Sequence, residues 1–176
     1  MGCRLVSLVK DSTAMMLVGA LEGKGHPALG EDAGEFAGSG RAGVPITEDL
    51  SALMERGEVV VDFSSPAATL DHMRTVARSR RAAVIGTTGF SPDQLDELKT
   101  LTQHIPCVFS PNMSVGINLL YKVISEMAKT LGDDYDIEVI EAHHRLKKDA
   151  PSGTALKIAE VLARSVSRDL NQVGVY

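Results

Sequence analysis

The feature that most limits the fold is Val59-Val-Val-Asp-Phe63, a run of β-branched residues closed by Ser64-Ser65-Pro66. Apolar residues that run on without alternating mark a strand buried on both faces, the pattern of a parallel sheet. A parallel strand reaches its neighbour through a crossover, usually a helix. The next residues supply one: Pro66 suits a first helical position, and Leu70, Met73, Val76 and Ala77 form an apolar side. The unit then repeats. Ala82-Ala-Val-Ile85 is a short strand, Ser91-Pro92 opens another helix with a cap and a proline, and Pro106-Cys-Val-Phe-Ser110 is a further strand. Strands alternating with helices predict an α/β domain built on a parallel sheet.

The flanking segments fill in the outline. Leu5, Leu8 and Val9 predict a helix beginning almost at Met1, and Met15 to Leu21 reads as a buried strand ending at Glu22. Residues 23 to 43, rich in glycine with small and acidic residues between, read as a mobile surface loop without elements. Thr47 is placed to cap a short helix through Leu50, Leu53 and Met54. A longer helix from about Val115 to Lys129 would turn Ile117, Leu120, Val123, Ile124 and Met127 inward. Asp136-Ile-Glu-Val-Ile140 alternates polar and apolar residues, unlike the earlier strands, which predicts a second sheet with one exposed face. The change places a domain boundary near Ser114, with units 1–114 and 115–176.

Composition removes several classes of function. A net charge of −5 over 176 residues argues against a nucleic-acid footprint. The two cysteines, Cys3 and Cys107, make neither a disulfide framework nor metal-ligand spacing, which fits a reducing cytoplasm and no metal. No apolar run approaches the length of a membrane span, and the Met1-Gly2-Cys3 start lacks the hydroxyl residue a myristoylation signal needs, having Val6 there.

Three places could carry chemistry. Gly2 and Glu22 have the separation expected between the last glycine of a dinucleotide-binding loop and the acid that holds the ribose, although a glutamate after a strand also serves as a turn residue. Gly86-Thr87-Thr88-Gly89 follows the Ala82–Ile85 strand, and the carboxyl ends of strands are where open α/β sheets bind ligands. Gly86 would let a flat ring approach the backbone, with hydroxyls from Thr87 and Thr88; the other reading is a plain glycine turn. The third place is Glu141-Ala-His-His-Arg-Leu-Lys-Lys-Asp-Ala-Pro-Ser-Gly-Thr-Ala155. Cations and two proton-carrying imidazoles precede a helix start, whose N–H groups attract anions. The cluster suits a small, doubly negative ligand with a proton donor beside it, or equally a solvated basic loop capping a surface helix.

The same stretch closely resembles the signature of the dihydrodipicolinate reductase family, E-[AV]-H-H-x-x-K-x-D-A-P-S-G-T-A, with every fixed position matched. The resemblance spans the chain and is strongest at residues 83–90 and 110–155. It implies a Rossmann-like parallel-sheet dinucleotide-binding domain followed by the start of an α+β substrate domain. The implied reaction moves a hydride from NADH or NADPH to a cyclic dicarboxylate imine in lysine and diaminopimelate biosynthesis. His143 matches the family's proton donor, and Lys147 a second acid and charge stabiliser. His144 with the Gly153 and Thr154 N–H groups matches the carboxylate-binding set. Glu22, the Gly86, Thr87 and Thr88 segment, and Ser110, Pro111, Asn112 and Met113 match the cofactor-binding positions. Leu29 to Gly38 also resembles the family, a likeness that a plain flexible loop would equally explain.

Two departures stand out. Gly23 occupies the position where the family often has an arginine for the extra phosphate of NADPH; Lys24 could replace it, and the balance leans to NADH. Met1-Gly2 resembles only the last two residues of the family's glycine loop, so the first strand and most of that loop are expected to be missing, as is the end of the second domain. The implied oligomer is a homotetramer when full length. The truncated chain alone is expected to be inactive, and the alternative reading is a catalytically inactive fragment or remnant of that enzyme, which binds a partner or nothing.

Overall fold

In the computed structural model, residues 1–145 and 150–175 are described. The chain divides into two compact units, residues 1–109 and 110–176.

The first unit is a parallel α/β layer. Strand β3 (Val59–Asp62), helix α3 (Pro66–Arg78), strand β4 (Ala82–Ile85), helix α4 (Pro92–Thr102) and strand β5 (Cys107–Phe109) follow one another. They form a three-stranded parallel sheet in the order β3-β4-β5, with Val61 opposite Val84 and Val84 opposite Val108. Each crossover helix starts as its sequence dictates. The Ser65 side chain accepts the Ala68 N–H ahead of Pro66, and Ser91 with Gln94 forms a reciprocal capping box ahead of Pro92. Leu70, Met73 and Val76 of α3, Leu98 of α4, and Ala83 and Ile85 of β4 are buried together and make the core.

Coverage of this sheet differs from the expectation of strands buried on both faces. The helices cover the face that carries Ala83 and Ile85, while Val59, Val61 and Val108 on the other face are 51%, 45% and 57% exposed. Side chains alternate across a strand, so a continuous apolar run describes both faces even where one is covered.

Upstream lies a smaller two-stranded parallel sheet, β1 (Ala20–Leu21) with β2 (Ile46–Thr47), and helix α1 (Gly2–Lys10) precedes it. The strand expected from Met15 shrinks to its last two residues, and Met15 and Met16 are exposed. Ladder bonds with β2 begin only at Ala20, so the apolar residues before it pair with nothing there. The glycine-rich residues 23 to 43 are more built than their composition suggests. They contain a short helix α2 (Ala33–Phe36), and Ala28 and Ala33 are buried against Ile46. Asp32 organises the segment: its carboxylate accepts N–H bonds from Gly34 at 2.9 Å, Glu35 at 3.1 Å, Ala42 at 2.8 Å and Gly43 at 2.6 Å. The helix predicted after Thr47 is a single 3₁₀ turn at Ser51–Leu53, whose Ser51 and Ala52 N–H groups donate to the Asp49 carboxylate. Thr47 is taken by β2.

The second unit is a parallel pairing of amphipathic helices, α5 (Val115–Leu131) and α6 (Gly153–Ser165), with Asn112 meeting Thr154 at their starts and Arg168 meeting Asp133 past their ends, followed by α7 (Leu170–Val173). Ser125 and Ser165 hydroxyls meet at 2.8 Å between α5 and α6. The inward side of α5 is Ile117, Tyr121, Ile124 and Ala128; Leu120, Val123 and Met127, predicted inward, are exposed. Apolar residues cover more than half of the α5 circumference, so periodicity could not choose between the sides. Residues 136–140 form no strand: among the described residues no segment pairs with them.

Candidate functional site

The signature segment acquires definite geometry in the second unit. Ser152 is the N-cap of α6, and its hydroxyl accepts the Ala155 N–H at 3.1 Å. Gly153 and Thr154 therefore occupy the first turn, where an α-helix has no carbonyl to offer their N–H groups. The partial positive charge of the helix end gathers there.

Glu141 ties the segment before this helix to its start. One carboxylate oxygen accepts the Ser152 N–H at 2.8 Å, and the other lies 2.7 Å from Nε2 of His143. The Ser152 side chain and N–H, with His143, hold the Glu141 carboxyl at about 2, far below its ordinary range. It is therefore an anion at neutral pH and accepts hydrogen bonds only. Asn112 joins the same place: its side-chain amide reaches the Thr154 hydroxyl at 3.4 Å, and its carbonyl accepts the Ser110 hydroxyl at 2.8 Å. The second unit thus brings together Ser110, Asn112, Glu141, His143 and Thr154. Pro111 and Met113 are exposed beside Asn112, and His144 is exposed next to His143. Lys147 lies outside the described residues.

The first unit carries a separate set. Glu22 follows β1, is exposed, and its carboxylate accepts the Gly23 N–H at 3.0 Å. Gly86 to Gly89 leave the carboxyl end of β4 beside the end of β3. A Cβ at Gly86 would overlap the ring of Phe63, so the glycine is needed for this aromatic contact as well as for any ligand. Thr87 departs from the expectation of a ligand-facing hydroxyl. It is 3% exposed, and its hydroxyl meets that of Thr69 at 2.8 Å and Asp62 at 3.4 Å. Thr88 beside it is exposed.

Beneath this turn is a polar cluster. Asp62, 4% exposed, accepts from the Ser64 N–H at 2.9 Å and the Ser64 hydroxyl at 2.6 Å, and meets Nδ1 of His72 at 2.7 Å. Burial pushes the Asp62 carboxyl up, but the bonds from His72 and Ser64 outweigh it and leave it below its ordinary value. The cluster ties the end of β3 to α3 and to the first residues after β4. Its signal in the sequence was an acid closing a run of valines. Glu141 had a signal too, as the opening residue of the signature, yet spacing assigned it no task. Among the described residues no group of acidic, histidine or cysteine side chains could hold a metal ion, and no helix is long and apolar enough to cross a membrane.

Residues 1–113 match the family model described as dihydrodipicolinate reductase, N-terminus, and residues 116–176 the model described as dihydrodipicolinate reductase, C-terminus. The chain is 51% identical over 176 residues to the 4-hydroxy-tetrahydrodipicolinate reductase of Syntrophus aciditrophicus, covering all of this chain and 66% of that one. It is 50% identical to the corresponding protein of Hahella chejuensis, with the same coverage. A solved dipicolinate-bound dihydrodipicolinate reductase from Paenisporosarcina sp. TG-14 superposes with a TM-score of 0.70 at 29% identity, over 95% of this chain and 63% of that one. The chain thus spans just under two thirds of the length of these relatives.

Proposed function

This chain belongs to the dihydrodipicolinate reductase family, and from that premise we propose that it supplies the cofactor and substrate residues of a 4-hydroxy-tetrahydrodipicolinate reductase. The observation that carries the proposal is the joining of His143, through Glu141, to the N-terminus of α6. A proton-carrying imidazole and a helix start selective for anions are what reduction of an imine bearing carboxylates requires. A hydride added to a conjugated imine leaves negative charge on a ring carbon, and an acid must protonate it.

In this reading His143 is the proton donor, and Lys147 stabilises charge. His144 and the Gly153 and Thr154 N–H groups receive a substrate carboxylate. Residues 1–114 hold the dinucleotide and residues 115–176 begin the substrate domain. The residues fit a nicotinamide dinucleotide: an exposed acid, Glu22, follows one parallel strand, and a glycine turn with exposed Thr88 follows another. The bound cofactor would supply the hydride. Thr87 serves it through its backbone, since its side chain is turned inward. Ser110, Pro111, Asn112 and Met113 complete the cofactor side. Gly23 in place of the family's arginine favours NADH over NADPH. The free thiols of Cys3 and Cys107 accord with the cytoplasm, and the resemblance supports a homotetramer at full length.

Dipicolinate, the ligand of the Paenisporosarcina relative, is the probe. Titrating it into the isotopically labelled protein should shift the Gly153 and Thr154 amides and the His143 ring together. In parallel, in the protein extended to the length of its relatives, NADH oxidation should follow addition of the cyclic imine generated in situ. Shifts that avoid the α6 start, or turnover unchanged in His143→Gln, would remove this assignment.

A further inference from the structure

Glu141 makes its two bonds with different oxygens, and this settles which ring nitrogen of His143 is which. The oxygen that accepts the Ser152 N–H is fixed by backbone, because Ser152 is itself locked as the cap of α6. The carboxylate plane is therefore set by the helix start and not by the imidazole. Its second oxygen, 2.7 Å from Nε2, then fixes both the position and the protonation of the ring. A carboxylate only accepts, so Nε2 must carry a hydrogen. Taking that hydrogen away would set a nitrogen lone pair against an anion at hydrogen-bond distance. We propose that Glu141 is the positioning residue of His143 and that the proton His143 delivers leaves from Nδ1.

The inference rests on the reading of His143 as proton donor for its catalytic half. In the step, the Nδ1–H bond breaks and a C–H bond forms at the ring carbon that carries the negative charge after hydride addition. The imidazolium becomes a neutral imidazole with its remaining hydrogen still on Nε2 and still bonded to Glu141. Water restores the Nδ1 proton before the next cycle. Glu141 keeps its charge throughout and holds the ring in one orientation. The arrangement has the logic of an acid–imidazole pair in which the acid orients and never itself transfers a proton.

Glu141→Gln isolates the imidazole limb of this arrangement. The glutamine carbonyl can still accept the Ser152 N–H, so the start of α6 is retained, and unchanged exchange of the Ala155 amide verifies it. In the wild type, a slowly exchanging ring N–H resonance of His143 should correlate with Nε2, and it should vanish in Glu141→Gln. In the protein extended to the length of its relatives, turnover in Glu141→Gln should fall by roughly 10–100-fold, the scale of a misplaced catalytic group, with little change in KM for NADH. Adding Glu141→Gln to His143→Gln should cost nothing further, because the two act as one unit. A protected ring hydrogen on Nδ1, or one surviving in Glu141→Gln, would overturn the inference alone. So would a full additional loss in the double variant. Normal turnover in His143→Gln would overturn the donor reading and the catalytic half of this one together.

Discussion

Asp62→Ala should destabilise the first unit by about 2–4 kcal/mol. Three close bonds end on this carboxylate, from the Ser64 N–H, the Ser64 hydroxyl and His72. Hydrogen bonds to a charged group are worth roughly 1.5–3 kcal/mol each, which taken alone would give a larger figure. Part of that is recovered. Ser64 is exposed and finds water, and the His72 side chain is 23% exposed and can turn its ring nitrogen to water once the carboxylate is gone. Thr69 and Thr87 keep each other as partners. What remains is the loss of the joint between β3, α3 and the turn after β4. For a unit of this size about 2–4 kcal/mol is a fall in Tm of roughly 10 °C or more. Urea denaturation followed by circular dichroism would measure it. Asp62→Asn should cost less, since the amide oxygen still accepts from Ser64. The pH dependence has a fixed sign. The Asp62 carboxyl lies below its ordinary 3.8 in the folded protein, so its contribution is complete above that value and disappears as pH falls through the folded-state one. The gap between wild type and Asp62→Asn should therefore close below about pH 4. An Asp62→Ala protein within about 0.5 kcal/mol of wild type would show that the cluster supports nothing.

Three further outcomes follow from the same geometry. Gly86→Ala should cost about 1–3 kcal/mol by displacing the Phe63 ring, and Phe63→Leu in the same chain should recover part of it in thermal melts. Asp32, held at about 2 chiefly by the Ala42 N–H and further by those of Glu35, Gly43 and Gly34, anchors its loop fully above pH 3.8 and releases it as pH falls towards 2. Amide exchange at Gly34, Ala42 and Gly43, relative to the intrinsic rate, should therefore rise only in that window. Ser152→Ala should lose about 1 kcal/mol of capping, read as faster exchange in the first turn of α6.

What the sequence disclosed and what it concealed divide along one physical line. Signals that act within a few residues of themselves were legible. Ser65-Pro66, Ser91-Pro92 and Ser152 cap the helices they announce, because a cap is satisfied by the next turn of the same chain. The parallel β3-β4-β5 order was legible because each crossover is written between its strands. Features that depend on a distant partner were not. Met15 to Ala20 has the composition of a strand, but pairing begins where Ile46 happens to lie. Residues 136–140 alternate as a strand should, yet an alternating segment becomes one only where another backbone accepts its bonds. The loop around Asp32 looked structureless because its order comes from one carboxylate gathering N–H groups up to eleven positions away. The same distinction explains the site. The signature stretch disclosed its histidines and its helix start, whereas the task of Glu141 became visible only once the chain folded back to bring Ser152 within 2.8 Å of it. A glutamate eleven residues before a cap has no local reason to touch it, so motif and spacing could mark its identity but not its geometry.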